Sequence, residues 1–406
     1  MDIAIITPYR FENASELSGP GQSALNWYTR QLAQALIAVG AGVKIIGPKP
    51  ADRKALPWDD GAIRVLPTYV RGAGRAWIDI ASGVGTAKPD VVHLEHELFA
   101  YGGVLNAFTI PFALQRIQRR GLTVLTTIHG VIPLNQVDAE FVRANRIPAA
   151  PTIVRSLWRS LLRRVAAASD LIHVHEPQQA HLLNAQYGID ERRIRVIPIG
   201  VSAGLVVNGR WARNQLSIPD DAKVALFFGY LSSYKGVAEF IRDVPLMLGA
   251  DPRVHVVIAG EVPARLRGAF DLDAALYNSG VDVSRIRTLG FVPDDQVSTV
   301  FSAADVLVLP YTISMSASGP MSLALAHGVP ALLSSVCAEN YLNAPGTFPL
   351  KQGYIADSVI RFFRDEQFQN QCVSYWQGCA AKRSWEYVAA EFMSLYATLR
   401  GPIELE

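Results

Sequence analysis

Short apolar runs alternate with helical stretches along most of the chain, and this alternation constrains its fold more than any other feature. Residues 3–6, 43–46, 91–94, 123–128, 171–174 and 195–199 read as strands. After the first of them, a glycine-containing loop over 18–23 leads into residues 25–39. There Leu25, Tyr28, Leu32, Ala35, Leu36 and Val39 recur at helical spacing, and Gly40 and Gly42 close the segment. Strands separated by crossover helices pair in parallel, so the pattern predicts an α/β protein with an open, doubly wound sheet. The rhythm then restarts, with strands at 224–228, 254–258, 286–289, 306–309 and 331–334 and a helix at 237–248. Two Rossmann-like domains are therefore expected, at 1–200 and 205–384. Residues 200–219, which contain Gly204 and Asn208-Gly209, read as the linker. A last helix at 385–400, within a final segment 385–406, is expected to pack back on the first half.

Composition narrows the class further. Half of the 406 residues are apolar and 18% are charged, which excludes a disordered chain or a coiled coil. Cys337, Cys372 and Cys379 are few, odd in number and without C-x-x-C spacing, which argues against a disulfide framework or a zinc site. The first eight residues read as a buried strand rather than a leader, and no run of 18 apolar residues occurs. A cytoplasmic location is expected.

In doubly wound sheets ligands bind beyond the carboxyl ends of the strands, so two such domains predict a cleft lined by post-strand loops. The loop after 224–228 runs from Gly229 to Gly236 and places Lys235 just ahead of a helix. A lysine there can bind a phosphate with help from helix N–H groups, or it can be a solvated turn residue. The loop after 306–309 ends in Ser318-Gly319-Pro320. Ser318 is a natural N-cap, and the same N–H groups suit an anion. Capping alone needs no ligand.

The second half resembles the retaining GT-B glycosyltransferases of the group 1, glycogen-synthase-like superfamily. Gly229-x-Leu231-x-x-x-Lys235-Gly236 is similar to that family's G-R-L-x-x-x-K-G loop. Residues 195–201, 256–260, 289–292 with 303–310, and 324–330 follow in the family's order, and Trp385 stands where a tryptophan often precedes its last helix. The first half is similar through the loop at Gly19 and Gly21 and through Thr127-Ile128-His129. This chain departs at three places. Tyr230 replaces the loop arginine, while Met315 and Leu323 stand where most of the family carries two glutamates. It resembles a branch with Ser-Gly at Ser318-Gly319 and without the full glutamate pair.

The resemblance implies transfer of a sugar from a nucleotide diphosphate to a hydroxyl acceptor with retention, as in polysaccharide or glycoconjugate synthesis. Charge develops on the departing diphosphate, and fixed donors aimed at it supply the stabilisation. The donors expected are Lys235, Tyr230, Ser318, Gly319, Gly19 and Gly21; Lys235 and His129 are the catalytic residues expected, His129 by contact with the donor sugar near the reacting carbon. Gly260, Glu261, Phe291 and Val292 are expected at the nucleotide base, and His96 and Glu97 on the acceptor side. His129 could instead close a turn, and His173 and His175 read as structural. His93, Glu95 and Glu97 would share one face of an extended strand, but no further ligand set accompanies them. No D-x-D motif is read, in keeping with metal independence, and no metal or cofactor is expected beyond the nucleotide-sugar co-substrate. Missing glutamates motivate a catalytically silent domain that binds nucleotide or a partner; a GT-B epimerase fits the motif order less well.

The net charge of +2 conceals a split. Between residues 116 and 165 nine arginines stand against Asp138 and Glu140. Arg155, Arg159 and Arg163 recur every four residues, with Arg164 beside them. This reads as a solvated face or as a helix surface for anionic lipid headgroups, with a carbohydrate or lipid-linked acceptor. No nucleic-acid partner is expected.

Overall fold

The computed structural model describes residues 1–9, 20–49, 56–98, 100–144, 147–202, 204, 207–262, 268, 270–314 and 316–401; of residues 20–24, 104 and 144 only the backbone is described. Two compact units result, one holding residues 1–200 and 385–406, the other most of 201–384.

The first unit is built on eight strands: β1 (Asp2–Ile6), β2 (Gly42–Pro48), β3 (Trp58–Asp60), β4 (Ile63–Tyr69), β5 (Val91–His96), β6 (Thr123–Ile128), β7 (Leu171–Val174) and β8 (Ile194–Val196). Their order is β3-β4-β2-β1-β5-β6-β7-β8. All neighbours pair in parallel except the edge pair β3 and β4. The crossovers include α1 (Pro20–Ala38), α2 (Ala76–Ala87), α3 (Val104–Gln118), α4 (Ala139–Ala144), α5 (Pro151–Ala167) and α6 (Pro177–Ala185). Central strands are buried on both faces, as parallel sheets require, which is why they read as unbroken apolar runs. The last helix, Trp385–Arg400, buries Val388, Phe392, Tyr396 and Leu399 in the cluster that holds Ile3, Ile5 and Leu32. Its Trp385 ring lies where a Cβ on Gly200 would stand, 2.3 Å from the nearest ring carbon.

The second unit holds α7 (Gly209–Gln215), a short helix inside the segment expected to be the linker; Asn208 caps it. Six strands follow: β9 (Lys223–Phe228), β10 (Val254–Ala259), β11 (Ile286–Gly290), β12 (Val306–Leu309), β13 (Ala331–Ser334) and β14 (Thr347–Phe348). They are ordered β11-β10-β9-β12-β13-β14, all parallel. The helices are α8 (Val237–Ala250), α9 (Leu272–Asn278), α10 (Asp294–Ala303), α11 (Gly319–His327), α12 (Ser335–Ala338), α13 (Tyr354–Arg364) and α14 (Glu366–Ala381).

In each unit the first strand lies inside the sheet and the chain winds outward to both sides. The winding reverses between β1 and β5 in the first unit and between β9 and β12 in the second. Such switch points leave a crevice beyond the strand ends, because the flanking crossovers depart to opposite faces.

α1 begins at Pro20, so Gly21 lies in its first turn rather than in the expected phosphate loop. Proline at the first helical position costs no intrahelical bond, which makes it a helix start rather than a breaker. Gly19 lies outside the described residues. Val39 falls just past the helix and is exposed.

Candidate functional site

The loops at the β9/β12 switch point are pressed together through glycines. Gly260 follows β10 at φ +151°, and a Cβ there would come 1.8 Å from the Gly229 carbonyl oxygen. Gly236 sits at φ +71° and caps α8; a Cβ there would come equally close to the Pro310 carbonyl oxygen. Only glycine allows either approach. The turn after β9 is thereby seated against the turn after β12, and the Thr312 amide donates to the Tyr234 carbonyl at 2.9 Å.

Lys235 is carried into this junction and is buried, not solvated. Its Nζ donates to the Tyr311 hydroxyl at 2.6 Å and lies 4.0 Å from the centre of that ring. An ammonium has donors only, so the Tyr311 oxygen accepts from it and its own O–H is directed to Ser318 Oγ, 2.9 Å away. Ser318 Oγ also accepts from the Met321 amide and thus caps α11. The result is a chain from ammonium to phenol to helix cap at the switch point. Burial pulls the Lys235 pKa down to about 8, because the charged form lacks water, an effect that Cys337 partly offsets. The site is therefore poised for an anion, which would restore the charge balance.

Other residues expected at this site are distributed unevenly. Gly319 opens α11, where Pro320 contributes no N–H and the helix dipole favours negative charge. Tyr230 is part-exposed; burial and the Glu261 charge push its phenol pKa upward, so it remains a neutral hydrogen-bonding group. Glu261 accepts the Leu231 amide through its backbone carbonyl. Phe291 is exposed, whereas Val292 packs in the core with Val300 and Leu309, so its side chain is not available to a base. Leu323 is apolar and lies against the same core, and Met315 falls outside the described residues. Asp271-Leu272-Asp273 does have D-x-D spacing, but Asp271 accepts the Ala274 amide and caps α9. Among the described residues no group of three or more His, Cys, Asp or Glu is placed to hold a metal ion.

At the β1/β5 switch point of the first unit lies a buried polar cluster. Glu95 is fully buried, with its carboxyl pKa pushed up to about 8 by desolvation, partly offset by Thr29 and Thr7. Its carboxyl meets the Thr29 hydroxyl. Thr29 also reaches the Leu25 carbonyl at 2.9 Å. The Thr29 hydroxyl thus lies within donating reach of both the Glu95 carboxyl and the Leu25 carbonyl, with one proton for the two.

The histidines of β5 and β7, and those just past β6 and β7, are likewise neutral. The Ile197 carbonyl can only accept, so His173 donates from Nε2 at 2.9 Å. Its Nδ1 then accepts from Thr127, which accepts from His93 Nε2, whose Nδ1 accepts from the Tyr396 hydroxyl. This one-way chain ties the last helix to the sheet and needs uncharged rings throughout. Burial holds His173 at about 4 and His93 well below the usual value. Both rings are structural, and His93 is no metal ligand.

His129 stands just past β6, with its amide on the His96 carbonyl and its carbonyl on the Gln179 side chain. Its Nδ1 lies 3.0 Å from His175 Nε2, and the edge of Tyr28 meets both imidazoles. His129 Nε2 is buried and has no hydrogen-bond partner among the described residues. Desolvation, then His173 and His96, bring its pKa down to about 3. His175, read from sequence as structural, therefore touches the one histidine assigned to chemistry. His96 is buried and neutral, held at about 4 by desolvation. Glu97, past the end of β5, is brought up to about 7 by burial. Tyr311 and His175 were not assigned to the site from sequence. Only the position of Tyr311 two residues beyond β12 marks it; nothing local marks His175, whose partner is 46 residues away.

Comparison with known proteins defines the class. Residues 25–204 match the model for Glycosyltransferase Family 4, and residues 222–361 match that for Glycosyl transferases group 1. An uncharacterized glycosyltransferase of Methanocaldococcus jannaschii is 28% identical over 223 residues, 52% of this chain and 55% of that protein. A D-inositol 3-phosphate glycosyltransferase of Streptomyces avermitilis is 25% identical over 424 residues, 95% of this chain and 85% of that protein. The match to the archaeal relative thus spans about half that protein's length. Among solved structures, Anabaena HepE in complex with UDP superposes with a TM-score of 0.69 at 14% identity, covering 98% of this chain and all of that one. The two models together cover most of the chain, and it belongs to the group 1 glycosyltransferases of the GT-B class.

Proposed function

We propose that the chain is a metal-independent retaining glycosyltransferase that uses a nucleotide diphosphate sugar as donor and a hydroxyl, carbohydrate or lipid-linked, as acceptor. The observation that carries this reading is the buried Lys235 ammonium, hydrogen-bonded to the neutral Tyr311 hydroxyl, which in turn meets Ser318 at the start of α11. A diphosphate is the anion that this arrangement suits. Its negative charge grows as the sugar departs, so Lys235 and the α11 amides bind the transition state more tightly than the ground state.

In the proposed step the acceptor oxygen forms its bond to the anomeric carbon as the carbon–phosphate oxygen bond breaks. The bonding pair leaves on the diphosphate. The acceptor proton passes to a phosphate oxygen on the same face, which leads to retention. His129 supports this assignment by what it is unable to do: an imidazole with a pKa of about 3 is a poor base. It is suited to hydrogen-bond a sugar hydroxyl through Nε2. That HepE is solved in complex with UDP and that the Streptomyces relative is a D-inositol 3-phosphate glycosyltransferase lend support to a uridine nucleotide donor and a polyol acceptor.

A second reading has its own observation. Glu97, with a carboxyl pKa of about 7, is a competent general base, and a base on the face opposite the leaving group would give inversion. Incubation with UDP-, GDP- and ADP-sugars, scored by release of nucleoside diphosphate, tests the transferase reading. One donor is expected to turn over, even if slowly to water. Tight nucleotide binding without release from any donor, with a sugar–lipid acceptor pool supplied, would favour a silent binding domain.

A further inference from the structure

The exposed faces of α3 and α5 repeat one pattern. On α3, Leu105 and Phe112 are exposed, followed by Arg116 and Arg119 toward the helix end. On α5, Ile153 and Leu157 are exposed, followed by Arg163 and Arg164. Residues 153, 157, 160 and 164 lie along one stripe at helical spacing, as do 105, 112 and 116. Both helices connect parallel strands, so they run in the same direction and bring their apolar ends to one edge and their arginines to the other. They touch where the Arg164 guanidinium lies 5.0 Å over the Phe112 ring.

Two further features point outward from this face. Neither helix contains an acidic residue, and none occurs from 98 to 137 or from 141 to 169. Beside the apolar stripe of α5 runs a groove of about 750 Å³ lined by Thr152, Arg155, Ser156, Arg159, Ser160 and Arg163. Arg155 and Arg159 each spend Nε on a backbone carbonyl, which fixes the guanidinium groups along the groove. Hydroxyls and guanidinium groups together suit a phosphate ester. Exposed leucine, isoleucine and phenylalanine beside them do not serve a soluble polyanion, which would leave them in water.

We propose that the α3/α5 face is a docking surface for an anionic phospholipid bilayer, with Leu105, Phe112, Ile153 and Leu157 entering the interface and the α5 groove receiving a lipid phosphate. Apolar burial and headgroup attraction act together at such a surface, and neither alone suffices. No helix of the described residues is long and apolar enough to cross a membrane, so contact would be peripheral. Docking stands independently of glycosyl transfer. If transfer also holds, it places the acceptor side beside lipid-linked substrates.

Co-sedimentation with vesicles of phosphatidylcholine alone, or with 30% phosphatidylglycerol, tests this at about 50 mM and about 500 mM salt. The full chain is expected to sediment with anionic vesicles at low salt at least tenfold better than with neutral ones. Phe112→Ser with Leu157→Ser, and separately Arg159→Ser with Arg163→Ser, should each lower binding about tenfold or more while leaving the melting temperature and donor turnover unchanged. All four residues are exposed, so folding is not at stake. Equal sedimentation of the wild type and the apolar double variant would overturn the proposal. So would binding to heparin or RNA that survives loss of the apolar residues and exceeds vesicle binding, since it would assign the face to a soluble polyanion.

Discussion

Replacing Lys235 with methionine is expected to lower kcat by about a hundred- to a thousandfold, the usual cost of removing one fixed donor from developing charge. Methionine keeps the length and apolar contacts of the stem, so the loss reports the charge rather than a cavity. Tyr311→Phe should cost less, about tenfold in kcat/KM, because it frees the ammonium and Ser318 Oγ from their shared phenol without removing either. The pH dependence follows from burial. Lys235 titrates near 8 in the free protein, and only its charged form attracts a diphosphate. Apparent kcat/KM for the donor should therefore fall as pH rises through about 8. In Lys235→Arg that fall should disappear, whatever the new side chain costs in geometry, since guanidinium stays charged. Unchanged turnover in the methionine variant would remove Lys235 from the chemistry.

Acid should unfold the protein unusually steeply. His93, His96, His129, His173 and His175 are all held neutral by burial in the folded chain, at about 4 or lower where a value is resolved. Unfolded, each takes up a proton near pH 6.5. Glu95 and Glu97 act in the opposite sense, since the folded chain keeps both protonated below about 7 while the unfolded chain releases those protons above about 4.5. Below pH 6.5 the unfolded state thus gains protons on five histidines that the folded chain holds neutral, against two glutamate protons that only the folded chain retains, so stability falls on acidification. Between about 6.5 and 8 the two glutamates make stability decline as pH rises, and Lys235, deprotonated near 8 only in the folded chain, begins to oppose that decline at its upper end. Thermal denaturation should therefore show a maximum near pH 6.5, a sharp loss toward pH 5 and a shallow one toward pH 8. Glu95→Gln should reduce the shallow alkaline loss and leave the acid limb in place. A melting temperature flat from pH 7 to 5 would contradict the neutral cluster.

What the sequence made legible follows from the range of each interaction. Strands such as Val306–Leu309 and Ala331–Ser334 are short apolar runs buried on both faces, and their bounds can be read directly. Lys235 and Ser318 are legible because they sit in loops that follow such strands. The β3–β4 hairpin was missed because Trp58–Asp60 is polar at the sheet edge and Pro67 interrupts its partner. α7 was missed because a seven-residue helix with Gly209 at its start carries too little periodicity. The tie of Tyr311 to Lys235 spans 76 residues, and the chain from Tyr396 to His93 spans 303, so no local pattern encodes either. Burial also decides between alternatives that the sequence left open: Lys235 lies inside, so it is not the solvated turn residue that its loop also allowed.

The stereochemical course of transfer tests the central claim most directly. With an α-linked nucleotide-sugar that turns over, the anomeric proton of the first-formed product can be followed by NMR before any mutarotation. The diphosphate-assisted mechanism predicts an α product whose appearance matches nucleoside diphosphate release. A β product would contradict it and would assign the acceptor proton to a carboxylate base, with Glu97 the first to examine.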